Sequence, residues 1–372
     1  LDTAGIITHA DSQRIPDRHG IIEAEARSGR VLKVVAVFMV FGLIASIFAA
    51  ATFGRIDIPI RSVAHSILYG LGLTAGTALD ETLHVVVFDI RLSRICLAGL
   101  VGMALAVAGT AFQGILRNPL ADPFTIGVST GAAFGASVAI FFGVGGISML
   151  GLGALPLAAL GGAFGALLVV VALARTNGRL SRGTMVLAGI VVATFLSALI
   201  SLVKSLDEES VTSIVFWVMG SLQGRGWSHV GFALPYFIIG MIVIAYYSRE
   251  LDLLSLGGVQ AQQLGVDVNR VRMRILLGAS LLTAAAVSVS GVIGFVGLVT
   301  PHLVRMVIGA EHRPLLFVSG LLGAVALIWS DVAARTVLPG GEELPVGVVT
   351  ALAGGPFFCL LLKSRARTIS LD

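Results

Sequence analysis

Apolar residues dominate this chain in long runs, and polar residues punctuate them. Runs of about twenty fall at 34–53, 95–116, 126–146, 152–174, 185–203, 230–248, 275–291, 292–310, 314–330 and 344–362. A helix of roughly 20 apolar residues crosses about 30 Å of hydrocarbon. The pattern therefore predicts an all-α polytopic membrane protein with about ten transmembrane helices. No charged break separates the seventh run from the eighth. Across the start of the eighth lies GVIGFVGLVTPHLVR, residues 291–305, greasy yet holding three glycines, a proline, a histidine and an arginine.

Composition agrees with the pattern. Of 372 residues 56% are hydrophobic and 12% charged, with mean hydropathy +0.97, against roughly 25% charged in soluble domains. Ten crossings put both termini on one side, and the loops on that side carry 18 of the 25 Lys and Arg residues. By the positive-inside rule that side is cytoplasmic. The net charge of +4 thus reflects topology, and no nucleic-acid partner is expected, because no basic cluster is interleaved with aromatics. The first run is preceded by 33 mostly polar residues and is not followed by a small-residue cleavage site. That predicts a cytoplasmic tail over 1–33 in place of a removable signal, a membrane domain over 34–363 and a short tail over 364–372. Cys96 and Cys359 both fall in apolar spans and read as small buried hydrophobes, with no disulfide or metal framework.

Glycine placement adds packing information. Gly127, Gly131 and Gly135 recur every fourth residue in GVSTGAAFG, as do Gly161 and Gly165 in GGAFG. Such ridges let helix backbones approach closely where lipid supplies no hydrophobic drive. An offset of 180 residues aligns 94–114 with 274–294 at seven of 21 positions, little above what small-residue composition gives. A true repeat would be inverted, a common transporter device.

Several chemistries are excluded. GVSTG at 127–131 matches the hydrolase elbow but opens a membrane run, not a strand-to-helix turn of a soluble sheet. No H-E-x-x-H occurs, and Lys33, Lys204 and Lys363 follow Leu, Val and Leu, so a Walker A is absent and ATP has no P-loop here. Energy then comes from a gradient or from another subunit. A gradient carrier usually holds ionisable groups near the bilayer midplane. The candidate here is Asp331, at the end of the ninth run, with Arg335 four residues on along the same helical face, which also reads as a self-neutralised pair near the outer surface.

Two loops invite partners. Residues 248–274 form the longest connection between cytoplasmic ends of spans; Gly257, Gly258 and Gly265 divide it into two short helices, with Val259, Leu264 and Val268 as apolar knobs. Its VQAQQLGVD lacks the aromatics and basic face of a lipid-lying helix, so a protein partner is expected. On the opposite side Arg91 and Arg94 precede the second run against the orientation rule, fitting an acidic partner or headgroup anchoring. VTSIVFWVMGSLQG, 211–224, is too short and polar to span and suits an interfacial or re-entrant helix at an outer mouth.

RLSRICLAGLVGMALAVAGTAFQGILRNPLADPFTIGVSTGAAFG, FWVMGSLQG, LGVDVNRVR, GFVGLVTPHLVRMVIGAEHR and ELPVGVVTALAGGPFF, in that order, closely resemble the permease subunits of the type II ABC importers for iron-siderophores, haem and vitamin B12. The resemblance covers about 34–363. It implies a homodimer of ten-helix permeases in the bacterial inner membrane, two cytoplasmic ATPase subunits that bind ATP and Mg, a periplasmic substrate-binding protein, and a metal chelate moved along the dimer axis. The permease itself would bind no cofactor and carry out no catalysis. The same resemblance implies docking of the binding protein at Arg91, Arg94 and Arg335. It implies ATPase coupling through Gly258, Val259, Gln262, Leu264, Gly265 and Val266, and a cytoplasmic gate at Asn118, Leu120, Gly183 and Thr184. Arg182, Gly183 and Thr184 lack the paired hydroxyls of the vitamin B12 member at that gate. GVIGFVGLVTPHLVR falls, on the resemblance, at the turn from the seventh span into the eighth, with Arg305 and His302 anchoring a helix end. The alternative is an ion-coupled secondary transporter acting without an ATPase, and it would need an essential midplane acid such as Asp331.

Overall fold

A computed structural model describes residues 18–54, 57–73, 81–144, 148–149, 152–176 and 179–369. The elements in order are α1 (Arg18–Thr52), α2 (Ile60–Gly70) and α3 (Glu81–His84), which continues through a π-helical stretch, Val85–Leu92, into α4 (Ser93–Leu116). A 3₁₀ turn, Pro123–Ile126, leads to α5 (Val128–Phe141), α6 (Ala154–Ala174), α7 (Arg182–Leu206), α8 (Glu208–Val218) and α9 (Trp227–Tyr246). Then come α10 (Ser248–Leu256), α11 (Gly258–Gln263), α12 (Val268–Ser290), α13 (Val296–Ile308), α14 (His312–Thr336) and α15 (Val346–Ile369). Among the described residues the β-structure is two antiparallel pairs of two-residue strands, in the turns before α6 and α7.

Each of the ten apolar runs carries a helix. Among the described residues seven are long and apolar enough to cross a membrane, whereas α5, α13 and the apolar part of α15 are shorter. The eighth is the most reduced: α13 has 13 residues, about 20 Å of helix, too little to span alone. The second run starts earlier than its hydropathy suggests, since Glu81–Leu116 is one helix of 36 residues and Arg91 and Arg94 lie inside it. The tail expected over 1–33 is helical from Arg18 onward, and α15 runs on through the expected tail to Ile369. Residues 1–17 and 370–372 lie outside the described residues.

The most buried spans are α4 and α12, followed by α14; α1, α7 and α9 are the least covered. α4 lies at the centre, against α14, α12, α13 and α9. The two segments aligned at an offset of 180 thus fall largely on the two central helices. Crowding on every side favours small residues in both.

Glycines set the closest approaches. A Cβ on Gly102 would stand 2.2 Å from the Gly323 carbonyl oxygen, and one on Gly109 would stand 1.9 Å from that of Gly297, so α4 meets α14 and α13 backbone to backbone. On α5, Gly131 and Gly135 meet Gly162 and Ala158 of α6. The ridge expected at Gly161 and Gly165 is displaced by one residue: neither has an atom within 4 Å of a Cβ built on it, and Gly162 makes the contact. A four-residue spacing identifies a helical face, and which glycine faces the neighbour depends on the rotation of the helix.

Candidate functional site

Three regions hold the sequence-derived candidates. The first surrounds the end of α1. Arg91, Arg94 and Arg335 are less than 10% exposed, and Asp331 is 1% exposed. Arg94 donates from Nε to both Asp331 carboxylate oxygens at 3.0 Å and from Nη2 to Oδ1 at 2.8 Å, while its Nη1 reaches Glu343 Oε2 at 2.8 Å. This is a bidentate, charge-assisted clamp joining α4, α14 and the turn before α15. Arg335 Nε stands 3.7 Å from Asp331, so the i,i+4 neighbour is the weaker partner. Its Nη2 donates to the Ala50 carbonyl at 2.8 Å, and Arg91 Nη1 donates to the Ala51 and Thr52 carbonyls at 2.8 and 3.0 Å. Two guanidinium groups therefore cap the last turn of α1, where the helix dipole favours positive charge. Asp57 lies within electrostatic reach of Arg91, so three arginines face three carboxylates. The arginines sit beneath the surface, each used within the chain.

The second region is the α10–α11 pair. Gly257 at φ +140° and Gly265 at φ +86° bracket α11, as the sequence predicts, because left-handed backbone at these turns favours glycine. Val259 and Leu264 are 65% and 60% exposed, and Gln262 and Gly265 are exposed beside them. Gly258 and Val266 are half-buried, and Val268, expected as a third knob, is buried at the start of α12. Asp267 caps that helix, accepting from the Arg270 N–H at 3.1 Å. On the other side His312 N–H and Nδ1 contact Asp252 Oδ1 at 2.9 and 2.6 Å, tying α10 to the first residue of α14.

The third region joins the two connections assigned to the gate. Arg117 ends α4 in a left-handed conformation, φ 51°, and Asn118 Oδ1 accepts the Leu120 N–H at 3.0 Å. Leu120 lines a narrow crevice with Leu298 and His302 of α13 and Phe357 of α15. The following 3₁₀ turn packs on α7, where a Cβ on Gly189 would stand 2.3 Å from the Thr125 carbonyl. Gly183 is exposed and Thr184 half-buried in the first turn of α7. One loop thus touches α7 and the α13–α15 pair.

Asp122 caps that 3₁₀ turn through Phe124 N–H. Burial pushes its carboxyl up to about 6 against the opposing pull of that hydrogen bond. The folded chain then holds this proton to higher pH than the unfolded chain. Asp122 consequently lowers stability as pH rises from about 4 to about 6, and by a constant amount above that. Asp122→Asn keeps a cap acceptor and should flatten this fall and raise the melting temperature at neutral pH in detergent. An unchanged slope of melting temperature against pH would exclude Asp122 as its source.

GVIGFVGLVTPHLVR holds the sharp bend the resemblance implies. α12 ends at Ser290, Gly291 takes φ +69°, and Phe295 enters α13 at φ +66°, an uncommon conformation for a non-glycine residue. The bend is clasped from both sides: Ser221 N–H donates to the Ser290 carbonyl at 2.8 Å, and a Cβ on Gly347 would stand 2.8 Å from that of Val292. The Phe295 ring covers Gly354 of α15. Pro301 sits inside α13 without ending it. Arg305 Nη2 donates to Gln113 Oε1 of α4 at 3.1 Å, an interhelical anchor as expected. α8, capped by Asp207 through Glu209 N–H at 3.1 Å, is a short helix that overlaps the expected 211–224 segment but starts at Glu208 and ends at Val218.

A bundle of apolar helices, a helix pair broken at residues 291–295, and an exposed helical elbow on one face are the build of a polytopic membrane protein. The comparisons narrow this class. Residues 42–364 match the FecCD transport family, and the chain belongs to it. It is 42% identical over 327 residues to the ABC transporter permease YvrB of Bacillus subtilis strain 168, covering 87% of this chain and 92% of that one. It is 41% identical to the cobalamin import system permease BtuC of Halobacterium salinarum, covering 90% and 89%, and 37% identical to the hemin transport system permease HmuU of Yersinia pestis, covering 91% and 98%. A solved inward-facing metal-chelate type ABC transporter superposes with TM-score 0.77 at 33% identity, over 89% of this chain and 99% of that chain.

Proposed function

We propose that this permease works as a homodimer in a binding-protein-dependent ABC importer, moving a metal chelate of the iron-siderophore, haem or cobalamin class across the bacterial inner membrane. Both termini face the cytoplasm, where two ATPase subunits supply the energy, and a periplasmic binding protein delivers the cargo. The observation that carries this reading is the α10–α11 elbow, whose exposed Val259 and Leu264 stand on a segment braced against α12 and α14. Differential contacts in two nucleotide states would bias the permease through that brace. Asn118, Leu120, Gly183 and Thr184 then close the cytoplasmic end, the 117–127 loop relaying between α7 and α13.

At the other end, docking would proceed by exchange, because Arg91, Arg94 and Arg335 already face internal carboxylates. Glu343, 13% exposed at its side chain, is the one a partner's carboxylate would displace from Arg94. The ion-coupled alternative loses its acid, since Asp331 is clamped by Arg94.

Vesicles reconstituted with permease, ATPase and binding protein test the scheme. Uptake that persists without ATP or without the ATPase rejects it. Val259→Glu with Leu264→Glu should reduce ATP-driven uptake at least about tenfold, by burying unpaired charge at the ATPase contact, while leaving the melting temperature near wild type.

A further inference from the structure

A groove of about 520 Å³ opens between α9 and α14. Val107 of α4 forms its floor, Met241 and Ile244 one wall, and Leu316 and Phe317 the other. At the end where α9 finishes and α14 begins, the lining changes to Ser248, Arg249 and Arg313. Tyr246, 73% exposed, stands beside the arginines, and Phe317, 50% exposed, lies one turn below Arg313.

We infer that this groove binds one anionic phospholipid, with an acyl chain along the apolar walls and the phosphate between Arg249 and Arg313. Both arginines are exposed, and neither has an ion pair or hydrogen bond among the described residues. Glu250 and Glu311 adjoin them in sequence yet form no pair with them within 4.0 Å. Two guanidinium groups lining one groove suit an anion, and a phosphate offers oxygens to both. The exposed Tyr246 fits the headgroup level of a bilayer. Below, the walls offer hydrocarbon and no polar partner. An amphiphile of that polarity matches both halves, whereas free phosphate matches only the upper one.

The position gives the lipid a consequence. Arg249 lies in the first turn of α10 and Arg313 in the first turn of α14, the two helices already tied by Asp252 and His312. A bridging phosphate doubles that tie.

Native mass spectrometry of the full chain, purified in mild detergent and equilibrated with equal phosphatidylglycerol and phosphatidylcholine, reads the site directly and needs no partner subunit. Wild type should retain phosphatidylglycerol about tenfold over phosphatidylcholine, from two arginines near an anionic headgroup. Arg249→Gln with Arg313→Gln should abolish the preference, Arg249→Lys with Arg313→Lys should keep most of it, and Ala245→Trp, which fills the groove while sparing the arginines, should abolish it as well. Undiminished preference in the glutamine variant overturns the site. So does displacement of the lipid by inorganic phosphate with Ala245→Trp behaving as wild type, which would mark a free-anion site. Weakened association with an ATPase subunit at unchanged lipid retention would assign the arginines to a protein contact and also overturn it.

Discussion

Arg94→Met is expected to remove most folded protein from the membrane. Asp331, 1% exposed, would lose three of its hydrogen bonds and keep only Arg335 Nε at 3.7 Å. Breaking a buried pair by deleting one partner typically costs about 3–5 kcal/mol, because the survivor stays charged and unsolvated. The triple variant Arg94→Met, Asp331→Leu, Glu343→Gln should recover much of the loss, because no carboxylate of the clamp is then left buried without its arginine and replacing buried charges together with their partners is often neutral or better. Glu343→Gln, on the wetter side of the clamp, keeps an oxygen to accept from Arg94 Nη1 and should cost clearly less than Arg94→Met. Melting temperature and monodispersity in detergent report all three. A single Arg94→Met protein as stable as wild type would show that Asp331 does not depend on its clamp.

Gly109→Ala should be similarly severe for an opposite reason. The added carbon would stand 1.9 Å from the Gly297 carbonyl oxygen and 2.6 Å from its carbon. Both are backbone, so no rotamer can relieve the clash and α4 must part from α13. Overpacking typically costs about 1–3 kcal/mol, and more when neighbours cannot yield; loss at the upper end is expected. Gly161→Ala supplies the control, because nothing lies within 4 Å of its Cβ position. Equal thermal stability of the two variants would refute the close approach.

Features with a local cause were legible in the sequence. Ten apolar runs located ten helices, Gly257 and Gly265 placed the elbow, and the glycines of 291–297 marked the bend. Features with a distant cause were not. The Arg94–Asp331 clamp joins residues 237 positions apart, whereas helical periodicity points only to the neighbour at Arg335. The long helix from Glu81 was hidden because Asp89, Arg91 and Arg94 depress hydropathy over a segment that tertiary ion pairing stabilises. The rotation that selects Gly162 over Gly161 comes from packing against α5, which spacing cannot express. Leu120 beside His302 and Phe357 likewise depends on how α13 and α15 return to the start of α5.

The glycine contacts of α4 carry a mechanical consequence. Where carbonyl oxygens bear directly on a neighbouring backbone, no side chain can change rotamer to absorb displacement. α4, α13 and α14 must then shift as a single block, the chassis of the machine. Together with α1, α7 and α9 are the most lightly covered spans, and they lie outside that block.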